Sequence, residues 1–254
     1  MTCDALLFGP ASGLDSCLDM TLIYGFIGRE AIVFGADQRE VSNGVYSDVA
    51  DKVIEVGRNV CIGVSGDGSG GAYIVERLAK TNGWGPGVSL DAFEVSEVLT
   101  AGVKKALSDE GVDPANPPTG RSLPTFLVSG HSRRAAGEEP QPYLIAQTHS
   151  SGYGPKVLRN AAFTSVGVEN LLRHIEKYVS RGDLARLSLG QLDRIAVLLL
   201  SEAGHLCANM SCSCTVRHIF PERVERVDVS CLLHDVEAFR EGVRELVRTK
   251  LLCV

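Results

Sequence analysis

Between Met20 and Ser65 the chain alternates apolar runs of strand length with short polar turns, and this alternation constrains the fold more than any other feature. Met20 to Ile27 is one run; Gly28-Arg29-Glu30 breaks it, and Ala31 to Arg39 resumes it, ending on Asp37 and Arg39. Lys52 to Val56, a Gly57-Arg58-Asn59 turn and Val60 to Ser65 repeat the pattern. Two apolar runs around a glycine-containing turn predict a β-hairpin, so two hairpins are expected in succession. Gly66-Asp67-Gly68-Ser69-Gly70-Gly71 then opens a helix that carries Ile74, Val75 and Leu78 on one face.

Further along, Ser89 is a candidate N-cap for a helix over Leu90 to Asp109, with Phe93, Val98, Val103, Ala106 and Leu107 inward. The proline-rich stretch Gly111 to Gly120 reads as a connector. Strands are expected at Pro124 to Ser129, Tyr143 to Gln147 and Ala161 to Ser165. Helical spacing follows at Val168, Leu171, Leu172, Ile175 and Val179. A second such helix, capped by Ser188, should bury Leu192, Ile195, Leu199, Ala203 and Leu206. A last hairpin turns at Pro221-Glu222, and a final helix from about Leu232 buries Val236, Phe239, Val243 and Leu246. Hairpin-joined strands with inserted helix pairs imply an α+β fold of antiparallel sheets covered on their outer faces. Neither an internal repeat nor a second domain is visible.

Composition narrows the function. Hydrophobic residues make up 44% and charged residues 22% of 254, as in a soluble globular protein. A net charge of −6 without a long basic run argues against nucleic acid as the main partner. The longest apolar stretch, Ile195 to Leu200, is far too short to span a membrane. Residues 1–19 contain Asp4, Asp15 and Asp19 but no Lys or Arg, which is not a secretory signal; they read as a leader. Eight cysteines in a chain of this length do not form a disulfide scaffold, and a reducing cytoplasm is the expected setting.

Thr21 at the head of the first strand, Gly35-Ala36-Asp37-x-Arg39 closing the second, Lys52 opening the third and Ser65-Gly66 ending the fourth occur in one order. Singly each is ordinary; as an ordered set they resemble the N-terminal half of a proteasome β-type subunit, in the N-terminal-nucleophile hydrolase superfamily. The resemblance implies a four-layer αββα sandwich formed by a single domain over 21–254, behind a leader or prosegment at 1–20. It also implies a peptide or protein substrate, a threonine-type peptidase or amidase activity, and a homo-oligomeric ring. No ATPase partner can be read from the chain.

By the same resemblance, Thr21 is nucleophile and base, Lys52 tunes it, Asp37 partners Lys52, and the Gly66 N–H faces the oxyanion. The chemistry asks for these types. A threonine hydroxyl is a weak nucleophile, but a free α-amine, with a pKa of about 7.7–8.0, can take its proton. A neighbouring lysine disfavours a second cation and so lowers the pKa of that amine, and a buried lysine needs a carboxylate. This mechanism calls for no metal or cofactor. Thr21 follows Met20, so its amine becomes free only if residues 1–20 are removed or translation starts at Met20.

The C-terminal half departs from the family pattern. Val166 stands where a supporting serine is expected, and Ala208 where an aspartate is; Ser211 matches the serine of that second element. A catalytically silent ring subunit and an acyl-transferring (transpeptidase) variant are therefore the alternatives. Two further motifs compete. Gly66-x-Gly68-x-x-Gly71, with Asp91 about twenty residues on, matches a dinucleotide fingerprint that would need a parallel sheet. His205, Cys207, Cys212, Cys214 and His218 have zinc-ligand types without a recognised spacing.

Overall fold

The computed structural model describes residues 21–42, 45–48, 50–119, 121–133, 137–158, 161–164, 181–206 and 213–247. Strands β1 (Ile23–Ile27) and β2 (Ile32–Asp37) form the first expected hairpin, with Gly25 opposite Phe34 and Ile27 opposite Ile32. Strands β5 (Val53–Gly57) and β6 (Val60–Ser65) form the second. Between them lies a two-stranded ribbon that the sequence did not announce, β3 (Glu40–Ser42) with β4 (Val45–Ser47).

Each hairpin seeds one sheet. β10 (Ala161–Thr164), β1, β2, β11 (Cys214–Ile219) and β12 (Val224–Arg226) make the first, in that order. β5, β6, β7 (Thr125–Ser132), β8 (Gln141–Gln147) and β9 (Lys156–Leu158) make the second. Every pairing of these strands is antiparallel.

Both faces of the inner strands are apolar because both are covered. Ile23, Phe34, Ala36, Val53, Cys61, Leu127, Leu144 and Ile219 meet in the layer between the sheets. Alternate residues point outward: Tyr24, Phe26, Val33 and Val216 pack under helix α3 (Leu189–Leu206) and the start of α4 (Ser230–Val247). Val60, Ile62, Phe126, Val128 and Ile145 pack under α2 (Ala92–Asp109), with Val75 of α1 (Gly68–Asn82). Fully burying one such aliphatic or aromatic side chain is worth about 1.5–3 kcal/mol, so three contiguous layers dominate the stability. The result is the expected αββα sandwich. Gly63 permits the sheets' close approach, since a Cβ there would sit 2.6 Å from Ile23 Cγ2 and 3.0 Å from Phe34 Cζ.

Several local expectations are corrected. Helix α2 is capped by Asp91, not Ser89: its carboxylate accepts from the N–H groups of Phe93 and Glu94 and from the Ser132 hydroxyl. Its buried face carries Val95, Leu99, Val103 and Leu107, so Val98 and Ala106 lie off the stripe. Ser188 does precede α3, and Gln191 Oε1 accepts from the Ser188 N–H at 3.0 Å and from its hydroxyl at 3.1 Å, one half of a capping box. There the buried apolar residues are Leu192, Ala196, Val197, Leu199, Leu200 and Ala203, with Ile195 only partly covered. β7 runs on to Ser132, and the edge strand β9 was not foreseen. The expected helix at Val168 to Val179 lies outside the described residues, as do Cys207, Ala208, Ser211, Cys212 and Val166.

Candidate active site

In an antiparallel hairpin the first residue of one strand lies beside the last residue of the other. Asp37 N–H donates to Leu22 O at 3.1 Å, fixing the start of β1 against the end of β2. Val64 N–H donates to Lys52 O at 3.0 Å, doing the same for β5 and β6. Because the sheets stack, both junctions fall at one end of the sandwich, and three of the residues singled out in the sequence converge there.

Lys52 Nζ donates to Thr21 Oγ1 at 2.9 Å and to Asp37 Oδ2 at 3.1 Å. The Asp37 side chain has no solvent exposure and that of Lys52 has 11%. Asp37 also accepts from Leu22 N–H through Oδ1 at 2.8 Å and from Arg39 N–H through Oδ2 at 3.0 Å. Burial pushes its pKa above the ordinary 3.8; the Lys52 ammonium and the two N–H groups oppose that rise. The carboxylate is thus held on three sides, and a buried charge is tolerated when it is paired and fully hydrogen-bonded.

Gly66 follows directly on β6 at the same end. Its φ of +76° is left-handed, and a Cβ would run into the carbonyl oxygen of Leu123. Glycine is required here for both reasons. Asp67 then caps α1 by accepting from Gly70 N–H at 3.0 Å, so the glycine-rich run is a strand-to-helix turn. With antiparallel sheets on either side, the dinucleotide fingerprint loses the parallel context that it needs. Ser211 lies outside the described residues.

Sequence reasoning missed the supports of this triad. The Arg39 side chain forks onto Asp48, with Nε to Oδ1 at 2.7 Å and Nη2 to Oδ2 at 2.8 Å, closing the β3–β4 ribbon. Gln38 N–H donates to Ser213 O at 3.1 Å, and its side chain donates to Thr215 Oγ1 at 3.2 Å, tying the end of β2 to β11. The G-A-D-x-R run contained Arg39, but no signal in the sequence joined it to Asp48. For the zinc pattern, His218 bonds Asp193 at 2.7 Å and Cys214 is buried; no group of three possible ligands occurs among the described residues. Among them also, no helix is long and apolar enough to cross a membrane.

Chemically, the arrangement places an ammonium against a threonine hydroxyl and a buried carboxylate behind the ammonium. Such an ammonium stabilises an alkoxide and favours loss of the hydroxyl proton to a neighbouring base.

Comparison with solved structures decides the fold. A Gly-1 mutant of Anbu from Hyphomicrobium sp. strain MC1 superposes with a TM-score of 0.65, over 91% of this chain and 97% of that one, at 14% identity. The chain has the proteasome-like N-terminal-nucleophile hydrolase fold. No family model matches the sequence, and no curated protein does. At 14% identity the likeness to Anbu is one of architecture.

Proposed function

We propose that this chain is a threonine-type N-terminal-nucleophile peptidase or amidase acting through Thr21. The observation that carries the proposal is the hydrogen-bonded line from Thr21 Oγ1 through Lys52 Nζ to Asp37. Once the bond between Met20 and Thr21 is broken, the α-amine of Thr21 takes the hydroxyl proton while Oγ1 attacks the substrate carbonyl carbon. Lys52 holds positive charge at the forming alkoxide, and the Gly66 N–H receives the oxyanion. The leaving amine takes the proton from the α-amine, leaving an ester on Thr21. Water, activated by the same amine, then releases the acid and restores the hydroxyl.

A nucleophile of this kind is hazardous in the open, which favours assembly into a closed ring of identical subunits; closed symmetry is the rule for soluble homo-oligomers. Freshly purified active material tests the activity: intact mass and N-terminal sequencing should show a chain beginning at Thr21, carrying one adduct there after treatment with a β-lactone or epoxyketone. A full-length species that reacts at Thr21 would refute the mechanism, because its amine is still in a peptide bond. A processed chain that never forms the adduct would leave the silent ring subunit. Light scattering on the processed form should give a closed multiple of the subunit mass, and a stable monomer that acylates would refute the ring.

A further inference from the structure

Arg217 is a cation in the wrong place for a sandwich core. It lies on β11, opposite Phe34 of β2 and Arg226 of β12, and shares with Thr215 and Ile219 the face turned toward the second sheet. Its side chain is only 10% exposed. Nη2 donates to Asp51 Oδ2 at 2.8 Å, while Nη1 is buried without a hydrogen-bond partner among the described residues. A half-satisfied buried guanidinium is costly, and an apolar side chain of its volume would pack beside Phe34 without that cost. The position calls for an explanation other than stability.

What Arg217 holds supplies one. Asp51 is the residue before Lys52, and it reaches across Lys52: its Oδ1 accepts from Val53 N–H at 3.2 Å. This two-residue closure brackets the lysine backbone on one side. On the other, the Lys52 carbonyl accepts from Val64 N–H at 3.0 Å. The carboxylate making the bracket is itself 41% exposed, so without Arg217 it would be free to turn toward water. Arg217 thus comes from the first sheet, 166 residues away in sequence, to fix the segment of the second sheet that carries Lys52.

We infer that Arg217 and Asp51 form a positioning pair for Lys52: the guanidinium clamps Asp51, and Asp51 fixes the backbone from which the Lys52 ammonium reaches Thr21. This deepens the threonine-nucleophile reading and rests on it. Neither residue touches substrate or the reacting atoms.

The test uses the full chain processed to begin at Thr21, with Arg217→Met, Arg217→Lys and Asp51→Asn. Two measurements are made: β-lactone labelling of Thr21 as a function of lactone concentration, and residue-resolved amide exchange. In Arg217→Met the maximal labelling rate should fall about tenfold with the half-saturating concentration unchanged, the mark of a lost transition-state interaction. Exchange at Val53 and Val64 should quicken by about tenfold, while Leu127 of β7 keeps its protection. Arg217→Lys, which keeps a cation, should recover part of both. Asp51→Asn, on the exposed partner, should reproduce both changes even if Arg217→Met folds poorly. Unchanged exchange at Val53 and Val64, or quickened exchange with normal labelling, overturns the proposal. A wild-type chain that is never labelled refutes the threonine nucleophile instead, and the exchange arm still decides whether Arg217 holds the Lys52 segment.

Discussion

Replacing Asp37 with asparagine keeps the volume of a fully buried side chain and removes its charge. In the native chain the two carboxylate oxygens accept from Leu22 N–H, Arg39 N–H and Lys52 Nζ. An amide keeps one acceptor oxygen, so its NH₂ must face at least one of these donors. Removing one partner of a buried ion pair costs about 3–5 kcal/mol. The Lys52 side chain retains 11% exposure and so some hydration, which puts the expectation near the low end, about 3 kcal/mol. For a chain of this size the melting temperature should then drop by roughly 6–12 °C. Urea unfolding of Asp37→Asn, Lys52→Met and the double variant closes a thermodynamic cycle. The double variant removes both charges and should be less destabilised than the sum of the singles by about 2 kcal/mol. If the singles add within about 0.5 kcal/mol, the ion pair contributes nothing of its own and Asp37 serves only the two backbone N–H groups.

The remaining expectations are simpler. Lys52→Ala should lower single-turnover acylation of Thr21 by about 10²–10⁴-fold with the fold intact, and Asp37→Asn by less; near-normal acylation in Lys52→Ala would remove both residues from the mechanism. Acylation should have an acid limb above pH 3.8, where the raised carboxyl of Asp37 takes a proton and releases Lys52, and that limb should vanish in Asp37→Asn. Gly66→Ala should cost about 1–2 kcal/mol for the left-handed backbone, plus the collision with Leu123 O; a wild-type unfolding midpoint would contradict the turn geometry. Burial holds His131 down at about 4, against 6.5 when unfolded, so the unfolded chain takes up the proton first as pH falls. Stability should therefore decline between those values, by about 3 kcal/mol in total, and His131→Gln should flatten the decline in urea midpoints measured against pH.

How much of this was legible in the sequence depended on how local each interaction is. Both hairpins could be read because their two apolar faces and their turns are continuous in the chain. The β3–β4 ribbon could not, because two three-residue strands are too short to show a period of two. The inward face of α2 was read only in part: Val103 and Leu107 are buried and Phe93 packs against the core, but Val95 and Leu99 are buried where Val98, equally apolar, was expected. Which stripe is buried follows from how the helix lies on β7 and β8, and helical spacing does not contain that information. The cap was misplaced for a similar reason: Ser89 and Asp91 are both good cap residues, and what favours Asp91 includes a bond to Ser132, 41 residues on. At the candidate site, Thr21, Asp37 and Lys52 are singled out by an ordered resemblance, whereas Asp51, Asp48 and Arg217 form bonds that no spacing rule connects.

That difference reflects how the fold assembles the site. Thr21 precedes β1, Asp37 ends β2, Lys52 precedes β5 and Gly66 follows β6. In each hairpin the outgoing and returning ends coincide, so four positions spread over 46 residues reduce to two junctions. Stacking the sheets brings the junctions to one end, and Lys52 bridges them through its bonds to Thr21 and Asp37. Register therefore sets the geometry of the candidate site: a one-residue slip of β2 against β1 would turn Asp37 to the opposite face. The apolar alternation that resists such a slip, Ile32, Phe34 and Ala36 inward and Val33 outward, is the same pattern that predicts the strand. Among the described residues the two sheets share no strand ladder, so directional side-chain bonds between them, Lys52 to Asp37 among them, supplement the apolar packing. Arg217 to Asp51 is a second such bond, one residue from the lysine that bridges the two junctions.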